Sequence, residues 1–244
     1  MSRIVLLLAS LAAAASSQAG TPQINVGPLF DYLPATSSHL LKRVRNTGDV
    51  TAYVRVEVTQ IHFDAEGKPS EAPVDTAALV RNAGNAQGLI ASPGRLIIAA
   101  NGQQATRLVY RGLRDEEHYY RLRFIPVVPT ADEFSLSEVQ LQEASGLASA
   151  IHVFTGYGTI LFVAPSVPRH DTRLEGNIVH NHGNTTVVLD NLRYCEQDRA
   201  DDCSPGILAH VRPGQRYTLK SGPTRFARYD LLEGEARRSV DTRR

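Results

Sequence analysis

The sequence predicts an all-β protein made of two β-sandwich domains. Three observations carry that expectation. Apolar residues recur with period two along most of the chain, the spacing of strands with one buried face. Convincing amphipathic helix patterns are missing. Pro165 and Pro168 bracket Ser166-Val167 as a stiff linker, which divides the chain into domains at 20–165 and 169–244.

The elements follow in order. Residues 1–19 open with Arg3, continue through an apolar run from Ile4 to Ala15, and end on Ser17-Gln18-Ala19. That is the pattern of a secretory signal peptide, too short to span a bilayer. No later segment is long and apolar enough to cross a membrane, so the mature chain is expected to be soluble outside the cytoplasm and not membrane-embedded. The 26 basic and 25 acidic side chains nearly cancel, which argues against nucleic acid as a general partner. Cys195 and Cys203 are the only cysteines, and an isolated pair in an exported protein reads as a disulfide.

Within the first domain, Val54, Val56 and Val58 alternate with Tyr53, Arg55, Glu57 and Thr59 as a half-buried strand ending at the turn Asp64–Gly67. Residues 64–88 lack periodicity and read as a connection. Leu96–Ile98 and Thr106–Tyr110 flank Asn101-Gly102, a hairpin signal. Tyr119–Val128 is another strand, stopped by Pro126 and Pro129, and residues 130–148 are polar and irregular. Then comes IHVFTGYGTILFV, residues 151–163. As one strand it would reach roughly 44 Å, far beyond the usual five or six residues. Ile151, Val153, Thr155, Tyr157, Thr159 and Leu161 point one way; Gly156 and Gly158 leave the other face bare. Taken alone, the stretch reads better as a kinked core strand, since glycine in a strand more often marks a bend. Beyond the linker, short strands are expected at Ile178–His180, Thr186–Leu189, Leu192–Cys195, Ile207–Val211, Tyr217–Lys220 and Phe226–Leu232.

Several of these runs resemble a known family. LIASPGRLIIAANGQQATRLVYRG, residues 89–112, is similar to the central signature of periplasmic pilus-assembly chaperones of the PapD-like superfamily, with Ser92-Pro93, Asn101-Gly102 and Arg107 at its marked positions. YYRLRFIPV, residues 119–127, resembles the strand that follows. HNHGNTTVVLDNLRYCEQDRADDC, residues 180–203, is closest to the second domain of the alternate, coli-surface-antigen type chaperones. The resemblance implies two immunoglobulin-like domains set in a boomerang. It also implies donor-strand complementation, in which an edge segment fills the groove of an incomplete pilin sandwich. On that reading the donor side chains are Ile151, Val153 and Thr155. The partners are pilin subunits and an outer-membrane usher, with a self-dimer covering the free edge as a further partner. No cofactor, metal or catalytic residue is implied. The alternative is a structural or adhesive pilus component.

The chain also departs from the family. The family's cationic pair for a subunit carboxylate is missing, with Ile160 at its Lys position and no Arg in INVGPLFDYL. The interdomain ion-pair positions fall on Phe124 and Ala164. Lys42, Arg43, Arg45 and Arg169 are the nearby cations, and each reads as a solvated surface charge. His180 and His182 form half a metal site at most, with no third ligand at diagnostic spacing. Asp115-Glu116-Glu117 reads as a solvated loop, and no hydrolase or nucleotide motif is present.

Overall fold

A computed structural model describes residues 20–81, 86–142, 153–199 and 201–243. Seventeen strands, two short helices and a further helical stretch at 138–142 are present among them. The first part of the chain forms β1 (Ile24–Asn25), β2 (Phe30–Leu33), β3 (His39–Asn46), β4 (Ala52–Phe63), β5 (Pro69–Pro73), α1 (Thr76–Val80), β6 (Gly88–Ser92), β7 (Arg95–Ile98), β8 (Gln103–Arg111), β9 (His118–Pro126), α2 (Ala131–Phe134) and β10 (Tyr157–Val163). The rest forms β11 (Thr172–Glu175), β12 (Ile178–Asn181), β13 (Val187–Glu196), β14 (Ile207–Val211), β15 (Arg216–Thr218), β16 (Arg225–Glu233) and β17 (Ala236–Asp241).

Two sandwiches result, each with its own core. In the first, a sheet ordered β1-β3-β8-β6 faces a sheet ordered β2-β10-β9-β4-β5, with β7 also beside β4. The alternation that marks each strand is the reason for this layering. Val44, Leu108, Leu96, Leu122, Phe124 and Leu161 take the inward positions and are fully buried together. β2 runs parallel to β10, whereas β9 runs antiparallel to it. In the second sandwich β11-β12-β15 faces β14-β13-β16-β17 around Val179, Leu189, Leu192, Ala227 and Leu231.

Asn101-Gly102 is a turn but not a hairpin. Asn101 has φ 57°, and the Gly102 amide donates to the Ala99 carbonyl at 2.9 Å. The strands on either side then join different sheets: β7 pairs with β4, and β8 pairs with β3 and β6. The Asn46 side chain ties the turn to β3 by donating to the Ile98 and Ala99 carbonyls at 3.1 and 3.2 Å. A local turn signal specifies the reversal, but which strand each arm pairs with depends on neighbours distant in sequence.

Other expectations are revised in the same way. The 13-residue run does not form one strand: β10 begins at Tyr157, and Val153–Gly156 lie outside any strand. Its partner β9 ends at Pro126, which lacks an N–H and already faces Val54 of β4. Residues 130–148 are less irregular than expected. Thr130 caps α2 by accepting the Glu133 amide at 3.3 Å, residues 138–142 are helical, and Phe134 and Leu136 pack on Tyr53. The connection 64–88 contains β5 and α1. The two strands expected at Thr186–Leu189 and Leu192–Cys195 are a single β13 whose register shifts near Asn191, at φ 50°.

The linker is bonded on both sides. The Ala164 amide donates to Leu33 O at 3.0 Å and the Ser166 amide to Arg114 O at 2.7 Å, while the Asn184 amide side chain donates to Val167 O at 3.0 Å.

Candidate functional site

β10 is the element around which the site is built. On one side it pairs with β9 along its whole length, Tyr157 to Val163. On the other side β2 reaches only from Ile160 to Val163. Among the described residues, Tyr157, Gly158 and Thr159 therefore have no strand partner on that side, which leaves a short open sheet edge. Just before it, Val153 is 84% exposed and Thr155 is exposed. Ile151, the first of the three expected donor residues, lies outside the described residues, as do residues 1–19.

The bare face over Gly156 and Gly158 is a trough of about 410 Å³ whose walls include Glu71, Arg121, Arg123 and Ile125. The register explains the arginines: Arg121 stands opposite Ile160, and Arg123 opposite Gly158. A Cβ on Gly158 would meet an Arg121 guanidinium nitrogen at 3.7 Å, an ordinary contact. A Cβ on Gly156 would meet the Phe124 carbonyl at 3.1 Å, a tighter one. Glu71 of β5 bridges the two cations. Its carboxylate accepts from Arg121 Nε, Arg123 Nη2 and Thr59 Oγ1, each at 2.7 Å. Burial alone would raise its pKa, but the hydrogen bonds from Thr59, Arg123 and Arg121 outweigh that and hold it at about 2.

Arg121 and Arg123 were legible as alternating basic residues in YYRLRFIPV, but not as a pair beside β10. Of the cations singled out from sequence, Arg43, Arg45 and Arg169 are exposed. Lys42 is not a solvated charge. It is 3% exposed and points into the first sandwich, where its ammonium donates to Asp31 Oδ2 and to Pro28 O, both at 2.6 Å. Its inward parity on β3 and a carboxylate waiting across the layer account for the difference.

Glu117 is likewise no solvated loop residue. Both its oxygens accept from the Thr186 amide, at 3.0 and 2.9 Å, and it also accepts the Thr186 hydroxyl at 2.6 Å and the Tyr119 hydroxyl at 2.7 Å. Burial pushes its pKa up against those bonds. This clasp joins the two sandwiches. A second contact does the same: His210 of β14 stacks on Phe162 at 4.8 Å, lies 4.5 Å from Phe30, and bonds through Nε2 to the Tyr32 hydroxyl at 2.7 Å. A third is the Arg212 guanidinium, 3.4 Å over the Phe63 ring. The positions expected to hold an interdomain ion pair carry Phe124, wholly buried in the first core, and Ala164, so these other contacts join the sandwiches.

His180 and His182 do come together, their rings stacked at 5.8 Å. Among the described residues no group of three or more His, Cys, Asp or Glu side chains is placed to hold a metal ion. Cys195 and Cys203 are joined in a disulfide. What the β10 trough offers is an open backbone edge with an exposed apolar side chain before it and two guanidinium groups beside it.

No protein-family model matches the chain. It is 24% identical over 238 residues to a protein described as probable fimbrial chaperone EcpB, from Escherichia coli O157:H7 strain EC4115, covering 97% of this chain and 94% of that one. Its fold is similar to that of the class 5 fimbriae chaperone CfaA, with a TM-score of 0.54, 17% identity, and 91% and 100% of the two chains covered. It is also similar to a chain from the Salmonella enterica complex of SafA pilin with the SafB chaperone, with a TM-score of 0.52, 14% identity, and 90% and 96% covered. The chain is thus similar in sequence to a fimbrial chaperone along nearly its whole length, and its two β-sandwiches have the fold of solved fimbrial chaperones.

Proposed function

We propose that this protein is a periplasmic chaperone that binds pilin subunits by lending them a strand and passes them to an outer-membrane usher. The observation that carries the reading is the open side of β10 at Tyr157–Thr159, entered from Val153, which is 84% exposed. An apolar side chain that finds no core of its own, next to an unpaired edge, suits a groove on another chain. Ile151, Val153 and Thr155 are the inserted residues, and the segment 20–165 is the lending domain.

The energetics agree with a tight but reversible hold. A large apolar side chain contributes roughly 1.5–3 kcal/mol when fully buried, and each new backbone bond about 0.5–1.5 kcal/mol net. Ordering and association costs offset much of the sum. Arg121 and Arg123 are the cations beside this edge, and since both already pair with Glu71 a subunit carboxylate would have to share or displace that pairing. Residues 1–19 direct export, and the Cys195–Cys203 disulfide suits an oxidising compartment. The reading requires no covalent chemistry and no cofactor.

The test is the double substitution Ile151→Asp, Val153→Asp. Pilin should then fail to accumulate in soluble form in the periplasm. Normal accumulation and normal fibres in the double variant would end the reading.

A further inference from the structure

The sheet ordered β1-β3-β8-β6 faces the sheet that holds β10, so its outer surface lies on the opposite side of the first sandwich. On β3 the residues His39, Leu41, Arg43 and Arg45 alternate with inward ones, and on β8 Arg107 also points outward. The register sets Leu41 beside Arg107 and Arg43 one pleat further along, beside Ala105. Alternate residues of a strand lie roughly 7 Å apart, and diagonal neighbours across a pair roughly 7–8 Å. Arg43, Arg45 and Arg107 thus form a compact row on a flat surface, all exposed, with Leu41 beside them at 47% exposure.

This row is not neutralised. Outward positions on the flanking strands are Asn25, Ile90 and Ser92, none acidic. Among the described residues, neither Arg43, Arg45 nor Arg107 has a carboxylate within ion-pair distance. The other sheet behaves differently. There Arg55, Arg95, Arg121 and Arg123 are matched by Glu57, Glu133 and Glu71. With 26 basic and 25 acidic side chains overall, an unmatched row is not a consequence of composition. Like charges this close repel unless a counter-charge meets them.

We infer that the outer face of the β1-β3-β8-β6 sheet docks the acidic surface of a second protein, through Arg43, Arg45 and Arg107 around Leu41. The cations are arginines, which pair with carboxylates bidentately and are enriched at protein interfaces. Their pitch matches carboxylates spaced two apart on an extended segment. A membrane surface is less suited, because the face is a flat sheet without an amphipathic helix or an apolar wedge beyond Leu41.

The test compares the mature protein with the variant R43Q/R45Q/R107Q and with R193Q/R199Q/R238Q, which removes the same charge from exposed positions of the second sandwich. Poly-L-glutamate is the probe, with phosphatidylglycerol vesicles as the second arm. Binding to poly-L-glutamate should weaken with salt and fall roughly tenfold in the first variant, at an unchanged thermal midpoint, and hold in the second. In cells the first variant should lose surface fibres while pilin still accumulates with it, an outcome distinct from the donor-strand failure above. Equal losses in both triple variants, normal fibres in the first, or loss confined to the vesicle arm would overturn the inference.

Discussion

Acidification tests the contact between the sandwiches. His210 packs against Phe30 and Phe162, and burial pushes its pKa down from 6.5 to about 4. A depressed histidine contributes stability above its unfolded pKa and loses it as pH falls through the folded one, so the window runs from about pH 6.5 to about 4. At about 1.4 kcal/mol per tenfold, the whole difference is worth roughly 3 kcal/mol, and residual solvent contact reduces the expected share to roughly 2 kcal/mol. His210→Phe keeps a ring against Phe162 and removes the titration. Urea unfolding of both proteins at several pH values gives the difference directly, since the carboxylates that titrate in the same range are common to both and cancel. The native protein should lose its margin relative to the variant as pH falls from 7 to 4. A difference that stays flat across that window would refute the assignment of His210 to a desolvated joint.

Three further outcomes are expected. Gly158→Val should leave the thermal midpoint nearly unchanged, because its Cβ meets only an ordinary contact, yet should weaken pilin capture measured by co-purification; normal capture would remove the trough from the binding site. Reducing Cys195–Cys203, or replacing both by Ser, should cost the second sandwich roughly 2–3 kcal/mol by loop entropy, read by calorimetry. Arg121→Ala with Arg123→Ala should bring the Glu71 carboxyl up from about 2 toward its ordinary range, followed by NMR titration, and should lower subunit affinity; unaltered affinity would leave Glu71 as the only ligand of the pair.

How much of this was legible beforehand differs by scale. The alternation at Tyr53–Thr59 and Tyr119–Val128 is a local property of neighbouring side chains, and both stretches are strands lying where the pattern placed them. The turn at Asn101-Gly102 was equally legible, since only a residue tolerant of positive φ fits there. β17, ARRSVD, was missed because its exposed polar side chains carry almost no alternation, and pairing with β16 alone makes it a strand.

Direction and partnership were not legible. Lys42 and Arg43 are adjacent and both cationic, yet one is buried against Asp31 and the other faces solvent. Glu71 meets Arg121 from 50 positions away, and Glu117 meets Thr186 from 69. Side-chain chemistry and its short-range rhythm set strands, turns, the crosslink and the division into two layers pairs. The open flank of β10, the guanidinium pair beside it and the joint at His210 arise only when segments far apart in the chain are stacked. Charge and hydrogen-bond partners are chosen by distance in space, which the order of residues does not reveal.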